Sequence, residues 1–173
     1  NALGKLNIIA EDLGSLDKGV YRLMDETGYP GMKVMEFAFD GNEDNPYLPK
    51  NIKENSVCYT GTHDNDTLLG YIKKLKKKEY EVFVKGLEEV LGKEQIELEL
   101  TDKRSVAKAV LFVTLWSRSK LAVIPIQDIL LLGSRSRMNT PSTSRGNWQF
   151  KLKRIESYEL SEFIGYCGLT GRL

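Results

Sequence analysis

Three groups of polar side chains follow directly after apolar runs that we predict to be strands. The groups are Glu11 and Asp12, residues 63–66, and Gln127 and Asp128. Because the carboxyl ends of parallel strands meet on one side of a sheet or barrel, we expect Glu11 and Asp64 to be neighbours in space. A carboxyl with a raised pKa donates a proton, and a second carboxylate stabilises positive charge in a transition state. Two converging carboxylates are the usual requirement for cleaving a glycosidic bond.

These side chains are positioned by four predicted strands. The apolar runs lie at residues 6–10, 33–39, 57–60 and 121–126. Helical apolar spacing separates them, with a long helix at 103–117 and a closing helix at 157–168. Short apolar strands alternating with helices predict an α/β protein whose parallel sheet is covered on its faces. Half of an eight-stranded barrel and a small open sheet both satisfy this pattern.

Composition excludes several classes of protein. The 173 residues are 41% hydrophobic and 28% charged with a net charge of +1, which is typical of one globular domain. The balanced charge predicts neither a nucleic-acid partner nor a membrane-surface partner. The last apolar run is far shorter than the ~20 residues of a membrane span. With no visible signal peptide, we interpret Cys58 and Cys167 as reduced thiols of a cytoplasmic protein.

Several of these residues also have ordinary structural explanations. Asp12 is placed to cap a helix that starts near residue 15. His63 is either a hydrogen-bonded structural group or one metal ligand. Since the chain has no second histidine and no cysteine pair at ligand spacing, we predict no metal site. Residues 40–51 begin like a calcium loop, but Asn45 and Asn51 replace the glycine and glutamate that such a loop requires.

Short strings in a defined order carry a family resemblance. They are IIAEDLG at 8–14, PGMKV at 30–34, NPYLP at 45–49, YTGTHDNDT at 59–67, PIQD at 125–128, RMNTP at 137–141 and GNW at 146–148. The string around HDNDT is the most specific of them. Together they resemble the 4-α-glucanotransferase family, whose members are also called amylomaltase or disproportionating enzyme.

The resemblance implies a fold and an activity. The fold is a (β/α)₈ TIM barrel, of which this chain matches the C-terminal half, about strands five to eight. The activity is retaining transfer of α-1,4-glucan segments, as in starch, glycogen and maltodextrin metabolism, to an acceptor sugar. Maltooligosaccharides are therefore the expected partners, and this chemistry requires no cofactor and no metal.

The resemblance also assigns roles to individual residues. Glu11 matches the general acid/base, and Asp64 matches the carboxylate that stabilises the transition state. His63 and Asn139 match substrate-contacting residues. Gln127 and Asp128 are placed with the substrate-binding set, as supports at the end of the last strand.

The nucleophile of the family is the main departure. It is an aspartate that follows an arginine in the fourth barrel strand, and the nearest similar string here, Arg154-Ile155-Glu156, follows the last predicted strand. We therefore expect the N-terminal half of the barrel to be absent from this chain. Without a nucleophile no covalent glycosyl intermediate forms, so the isolated chain is expected to be inactive. It would pair with the missing half or self-associate through the exposed half-barrel face.

Two other functions remain open from the sequence. One is a non-catalytic glucan-binding or regulatory module derived from such an enzyme. The other is a small open α/β domain with unrelated hydrolase chemistry.

Overall fold

A three-stranded parallel sheet organises the chain. The computed structural model describes residues 6–173, and its sheet has the order β1-β2-β3. The strands are β1 Gly31–Val34, β2 Ser56–Tyr59 and β3 Leu121–Val123. β1 pairs with β2 from Gly31 opposite Ser56, and β2 pairs with β3 from Val57 opposite Leu121, both in parallel. The predicted α/β class with parallel strands is confirmed.

The first predicted strand is reduced to a single bridge. Ala10 pairs in parallel with Gly31, and its backbone N–H donates to Pro30 O at 2.9 Å. Residues 6–9 form no ladder, and Ile8 and Ile9 are 40% and 43% exposed. A strand is stabilised by pairing along its length and by burial of its side chains. Apart from the bridge at Ala10, this segment has neither strand pairing nor burial of its side chains. The prediction of a strand over 6–10 is therefore wrong in extent.

Residues 6–173 contain six helices besides the sheet. They are α1 Lys18–Thr27, α2 Leu68–Lys74, α3 Lys77–Lys93, α4 Lys103–Trp116, α5 Ile126–Ile129 and α6 Ser157–Leu169. Short 3-10 turns lie at Met35–Phe37, Pro49–Asn51 and Ser134–Ser136. Among residues 6–173, no helix combines the length and the apolar character needed to cross a membrane.

α4 is the central helix of the core. It is buried on most sides because it contacts α2, α3, α6 and β2. From Val106 onward its sequence is mostly apolar, and Val106 and Val110 are fully buried, which suits a helix packed on several faces. Asp102 begins the helix by accepting hydrogen bonds from the N–H groups of Arg104 and Ser105, both at 2.8 Å. The predicted helix at 103–117 is confirmed.

Two predicted strands are shorter than expected. The run at 33–39 leaves the sheet after Val34 and continues as the 3-10 turn. The run at 121–126 is a strand only to Val123, and Leu121 and Val123 are 48% and 40% exposed. The prediction that this last strand is fully buried is wrong. β3 is the outer strand of the three, so it has a strand neighbour on one side only within the described residues.

Asp12 attaches the segment that carries Glu11 to the sheet. Its carboxylate accepts a hydrogen bond from Met32 N at 2.6 Å and contacts Lys33 Nζ at 3.4 Å. It does not cap the following helix, because Asp17 does so through Gly19 and Val20. The side chain is 8% exposed. Asp12 therefore fixes where Glu11 leaves the sheet edge.

Gly31 is required for this attachment. A Cβ at Gly31 would lie 2.4 Å from Asp12 Oδ2, and the carboxylate cannot retreat without losing its bond to Met32. We expect Gly31→Ala to lower the free energy of unfolding by about 1–3 kcal/mol. Gly92→Ala, in α3 with nothing within 4 Å of the added carbon, should raise it by about 0.5–1 kcal/mol. Urea denaturation of both variants measures this, and equal effects would contradict the assignment.

Candidate functional site

A tight turn after β2 presents two of the predicted site residues. Asn65 N donates to Thr62 O at 3.1 Å, closing the turn over His63 and Asp64. The Asn65 side-chain oxygen accepts from Thr62 N at 2.9 Å and from Thr62 Oγ1 at 2.7 Å. Short polar side chains form such local bonds readily, which is why this sequence turns here. The side chains of His63 and Asp64 are both 52% exposed.

The loop after α5 closes on this turn. Asn139 Nδ2 donates to Asp64 Oδ1 at 2.5 Å, and Asn139 N donates to His63 O at 3.2 Å. Arg137 donates from one guanidinium nitrogen to Asp64 O at 2.5 Å and from Nε to Asn139 O at 2.6 Å. The structure therefore brings Asn139 to His63 and Asp64, although Asn139 lies 75 positions after Asp64 in sequence.

Trp148 adds an aromatic surface to this cluster. Its ring centroid lies 5.1 Å from that of His63, at an angle of 39° between the planes. Its backbone N–H donates to Met138 O at 2.6 Å, and the residue is 60% exposed. An exposed indole offers a large apolar face with a polar edge, which suits the faces of a sugar ring. Trp148 is the last residue of the GNW string at 146–148, and the sequence predicts no role for it.

A cavity of about 280 Å³ lies beside the cluster. Its lining combines the turn after β2 with the loop after β3. The lining residues are Thr62, His63, Asn65, Asp66, Thr67, Pro125, Gln127, Asp128, Arg137, Met138 and Trp148. Within residues 6–173, no group of three or more His, Cys, Asp or Glu side chains is arranged to hold a metal ion.

Asp128 is a buried anchor beneath the site. It is 2% exposed, and its two oxygens accept from Thr60 Oγ1 at 2.6 Å and from Leu68 N at 2.7 Å. Burial raises the pKa of this carboxyl to about 6, against the effect of those two hydrogen bonds. Gln127 is 7% exposed and donates to Ser136 O at 3.3 Å. Both side chains make hydrogen bonds to other residues of the chain, and a role in contacting substrate stays a prediction.

Asp66 completes the acidic set under the turn. It accepts hydrogen bonds from Lys74 Nζ at 2.5 Å and from Ser134 Oγ at 2.8 Å. Although burial opposes ionisation, these bonds and that of Thr67 N hold the pKa of Asp66 below its usual value. Asp66 is therefore a charged link between the turn, α2 and the loop after α5.

The sequence reasoning missed Glu36. The strand predicted at 33–39 includes Glu36, but this residue lies in the 3-10 turn at the carboxyl end of β1. It is 2% exposed, and its Oε2 accepts from Asn65 Nδ2 at 3.1 Å. Its Oε1 has no hydrogen-bond partner among the described residues. The available signal was a single glutamate within an otherwise apolar run.

The surroundings of Glu36 keep it protonated at neutral pH. Burial raises its pKa to about 9, and the nearby charges of Asp128 and Asp66 add to the effect. The hydrogen bond from Asn65 and the charge of Arg137 act in the opposite direction but are smaller than burial. Glu36 is thus an uncharged carboxylic acid beneath the candidate site.

Glu11 stands apart from this cluster in its contacts. Glu11 is exposed, and in the described part of the chain no hydrogen bond or ion pair joins it to Asp64. It follows the bridge between Ala10 and Gly31, the first residue of β1, so it lies beside the beginning of that strand. The expected closeness of Glu11 to Asp64 and its role as proton donor therefore stay predictions.

Protonated Glu36 makes stability depend on pH. Its pKa is about 9 in the folded chain and near 4.5 otherwise, so unfolding releases a proton between these values and stability falls as pH rises. The slope from this group is at most ~1.4 kcal/mol per pH unit. We expect Glu36→Gln to gain stability relative to the wild type between pH 6.5 and 8.5, above the range in which Asp128 titrates.

Urea denaturation across this pH range measures the difference. Glu88→Gln, an exposed change on α3, is the matched control and should follow the wild-type curve. Parallel curves for Glu36→Gln and the wild type would show that Glu36 is ionised in the folded chain.

Comparison with known proteins shows which family the chain resembles. A family model described as 4-alpha-glucanotransferase matches residues 1–157. A chloroplastic/amyloplastic 4-alpha-glucanotransferase of Solanum tuberosum is 39% identical over 158 residues, covering 91% of this chain and 26% of that protein. The 4-alpha-glucanotransferase of Thermus thermophilus is 40% identical over 151 residues, covering 86% and 29%.

Solved structures give the same relationship. An amylomaltase from Streptococcus agalactiae in complex with acarbose superposes with a TM-score of 0.85 at 31% identity, covering 99% of this chain and 33% of that chain. An amylomaltase from Corynebacterium glutamicum has a TM-score of 0.58 at 16% identity, which shows a shared fold. The chain thus spans about a quarter to a third of the length of these relatives. With a family model that matches most of its residues, the chain belongs to the 4-alpha-glucanotransferase family.

Proposed function

We propose that this chain supplies two carboxylates of a retaining 4-α-glucanotransferase, with Glu11 as general acid/base and Asp64 as the transition-state carboxylate. The observation that carries the proposal is the cluster in which Asn139 and Arg137 hold the turn of His63 and Asp64 at the carboxyl end of a parallel sheet. In such sheets, active sites form at this end. Membership of the family supports the same reaction.

The geometry suits the role of Asp64. One of its oxygens is held by Asn139, and its side chain is half exposed, so the other oxygen is open to a substrate. An oxocarbenium-like transition state carries positive charge that a fixed carboxylate stabilises. His63 Nε2 lies 3.5 Å from the oxygen that Asn139 binds, which orients the imidazole beside the same group.

Glu11 is proposed to deliver the proton to the leaving oxygen. It is exposed on a segment whose next residue, Asp12, is fixed to β1. In retaining chemistry this group acts as acid in the first half-reaction and as base in the second. The attachment of Asp12 to β1 limits the positions that the neighbouring Glu11 carboxyl can reach.

The proposed substrates are α-1,4-glucans and maltooligosaccharides. The exposed ring of Trp148 beside His63 offers a face on which a sugar ring can stack. The Streptococcus agalactiae relative is described in complex with acarbose, and its match over 99% of this chain supports a carbohydrate site here. A metal or organic cofactor is not part of the proposed reaction.

We further propose that the sheet is the C-terminal half of a (β/α)₈ barrel. The supporting observations are the exposed apolar residues at both sheet edges, Ile8 and Ile9 on one side and Leu121 and Val123 on the other. Unpaired strand edges favour association with another strand. The occupant would be the N-terminal half that carries the nucleophile. A cytoplasmic location stays a prediction, since plant relatives are named chloroplastic/amyloplastic.

Substitution of the two carboxylates tests their roles. The substitutions are made in a chimaera that joins this chain to the part of the Thermus thermophilus relative that it does not match. We expect Glu11→Gln and Asp64→Asn each to lower kcat by a factor on the order of 10²–10⁴, because each removes a group that acts in the transition state. Glucose release from maltotriose is the measurement.

The matched control is Glu88→Gln on α3, which should retain the activity of the unsubstituted chimaera. A near-normal rate for Asp64→Asn, with the fold intact by circular dichroism, would refute the role of Asp64.

The isolated chain is expected to be inactive. Without a nucleophile no glycosyl intermediate forms, so we expect no glucose release from maltotriose by the 173-residue chain. Adding the N-terminal part of a relative as a separate polypeptide should restore transfer. Activity of the chain by itself would overturn the proposal that a separate N-terminal part supplies the nucleophile. Binding of maltooligosaccharides with no restored activity would favour a glucan-binding module instead.

A further inference from the structure

Glu36 is a buried acid beneath the candidate site that has no part in the proposed reaction. We propose that Glu36 is a positioning residue for this site: through Asn65 it holds the turn that presents His63 and Asp64. This inference rests on the proposed function only for its catalytic consequence. The positioning of the turn by Glu36 is inferred from the contacts between them, independently of the proposed function.

The orientation of the Asn65 amide is fixed by its neighbours. Its oxygen accepts from both Thr62 N and Thr62 Oγ1, so its nitrogen must be the atom that faces Glu36. Asn65 Nδ2 therefore donates, and Glu36 Oε2 accepts, at 3.1 Å. Thr62 Oγ1 in turn accepts from Asp64 N at 3.3 Å. A continuous chain of hydrogen bonds thus runs from Glu36 to the backbone of Asp64.

The side chains of Glu36 and Asn65 pack closely against the backbone at the end of β2. Glu36 N donates to Thr60 O at 3.1 Å, which joins the end of β1 to the end of β2. A Cβ at Gly61 would lie 3.1 Å from Glu36 Oε1 and 3.2 Å from Asn65 Cβ. A side chain at Gly61 would therefore crowd both Glu36 and Asn65. Gly61 and Glu36 are buried, and Asn65 is partly buried.

The charge state of Glu36 follows from every element around it. Asp128 faces it from α5, Asp66 from the segment before α2, Tyr71 from α2 and Arg137 from the loop after α5. With two acids and one cation near it, an ionised Glu36 would add a third buried negative charge. Asn65 can donate to either form, so it is burial among these acids that requires the protonated one. A neutral acceptor of the same shape, such as glutamine, should replace it.

Hydrogen–deuterium exchange tests the positioning role in the 173-residue chain, without reference to activity. Peptides that span residues 60–66 are followed by mass spectrometry in the wild type, Glu36→Gln, Glu36→Leu and the control Glu88→Gln. We expect wild-type protection in Glu36→Gln and Glu88→Gln, and exchange roughly tenfold faster in Glu36→Leu, which leaves Asn65 without its acceptor. Unchanged protection in Glu36→Leu would overturn the inference.

The pH dependence provides a second measurement if Glu36→Leu does not fold. Protection factors for these peptides, corrected for intrinsic exchange, should fall between pH 8 and 10 in the wild type, where Glu36 ionises. They should stay constant in Glu36→Gln. Parallel falls in both proteins would overturn the inference.

Kinetics of the chimaera then test the catalytic consequence. We expect Glu36→Gln to match the parent kcat at pH 7 and to keep its activity at higher pH than the parent. Glu36→Leu should lose kcat at least roughly tenfold through the displaced turn. If the parent chimaera is itself inactive, the proposed function fails while the exchange result still decides the role of Glu36. Wild-type kinetics in Glu36→Leu at all pH values would overturn the inference.

Discussion

The carboxylate of Asp128 holds both ends of the segment on which the candidate site is built. One oxygen accepts from the hydroxyl of Thr60, where β2 ends, and the other from the backbone of Leu68, where α2 begins. The intervening residues must therefore leave the sheet and return within a fixed span. Asp128 itself is fixed by α5, directly after β3, so the spacing of two parallel strands sets the position of the turn.

Within that span, the turn is shaped from two sides. Glu36 and Asn65 support it from beneath, and Arg137 and Asn139 hold its outer surface. The contact with Glu36 joins the segments that follow β1 and β2, and the contacts of Arg137 and Asn139 join the turn to the loop after α5. A site assembled in this way is rigid in its backbone, while His63 and Asp64 keep half of their side-chain surface open. Stabilisation of a transition state requires polar groups that are held in fixed positions and are accessible to the substrate.

Three acids under the site take different charge states because their surroundings differ. Asp66 has a lysine and a hydroxyl donor, and its pKa is lowered. Asp128 has two neutral donors and deep burial, and its pKa is raised to about 6. Glu36 has a single amide donor and two acidic neighbours, and its pKa is raised to about 9. Burial opposes ionisation of all three acids, and the number and charge of the donors determine how far that effect is offset.

The sequence by itself determined the α/β class, the parallel strands, the helix at 103–117 and the polar groups that follow the strands, because apolar periodicity and turn residues are local signals. The motif strings also identified the family, and the family model confirms it. Only the tertiary structure decided that 6–10 is reduced to a bridge and that β3 is exposed, since pairing and burial depend on neighbours distant in sequence. The structure alone also revealed Glu36 and its pKa, because the charge state of a buried acid depends on the donors and acids folded around it.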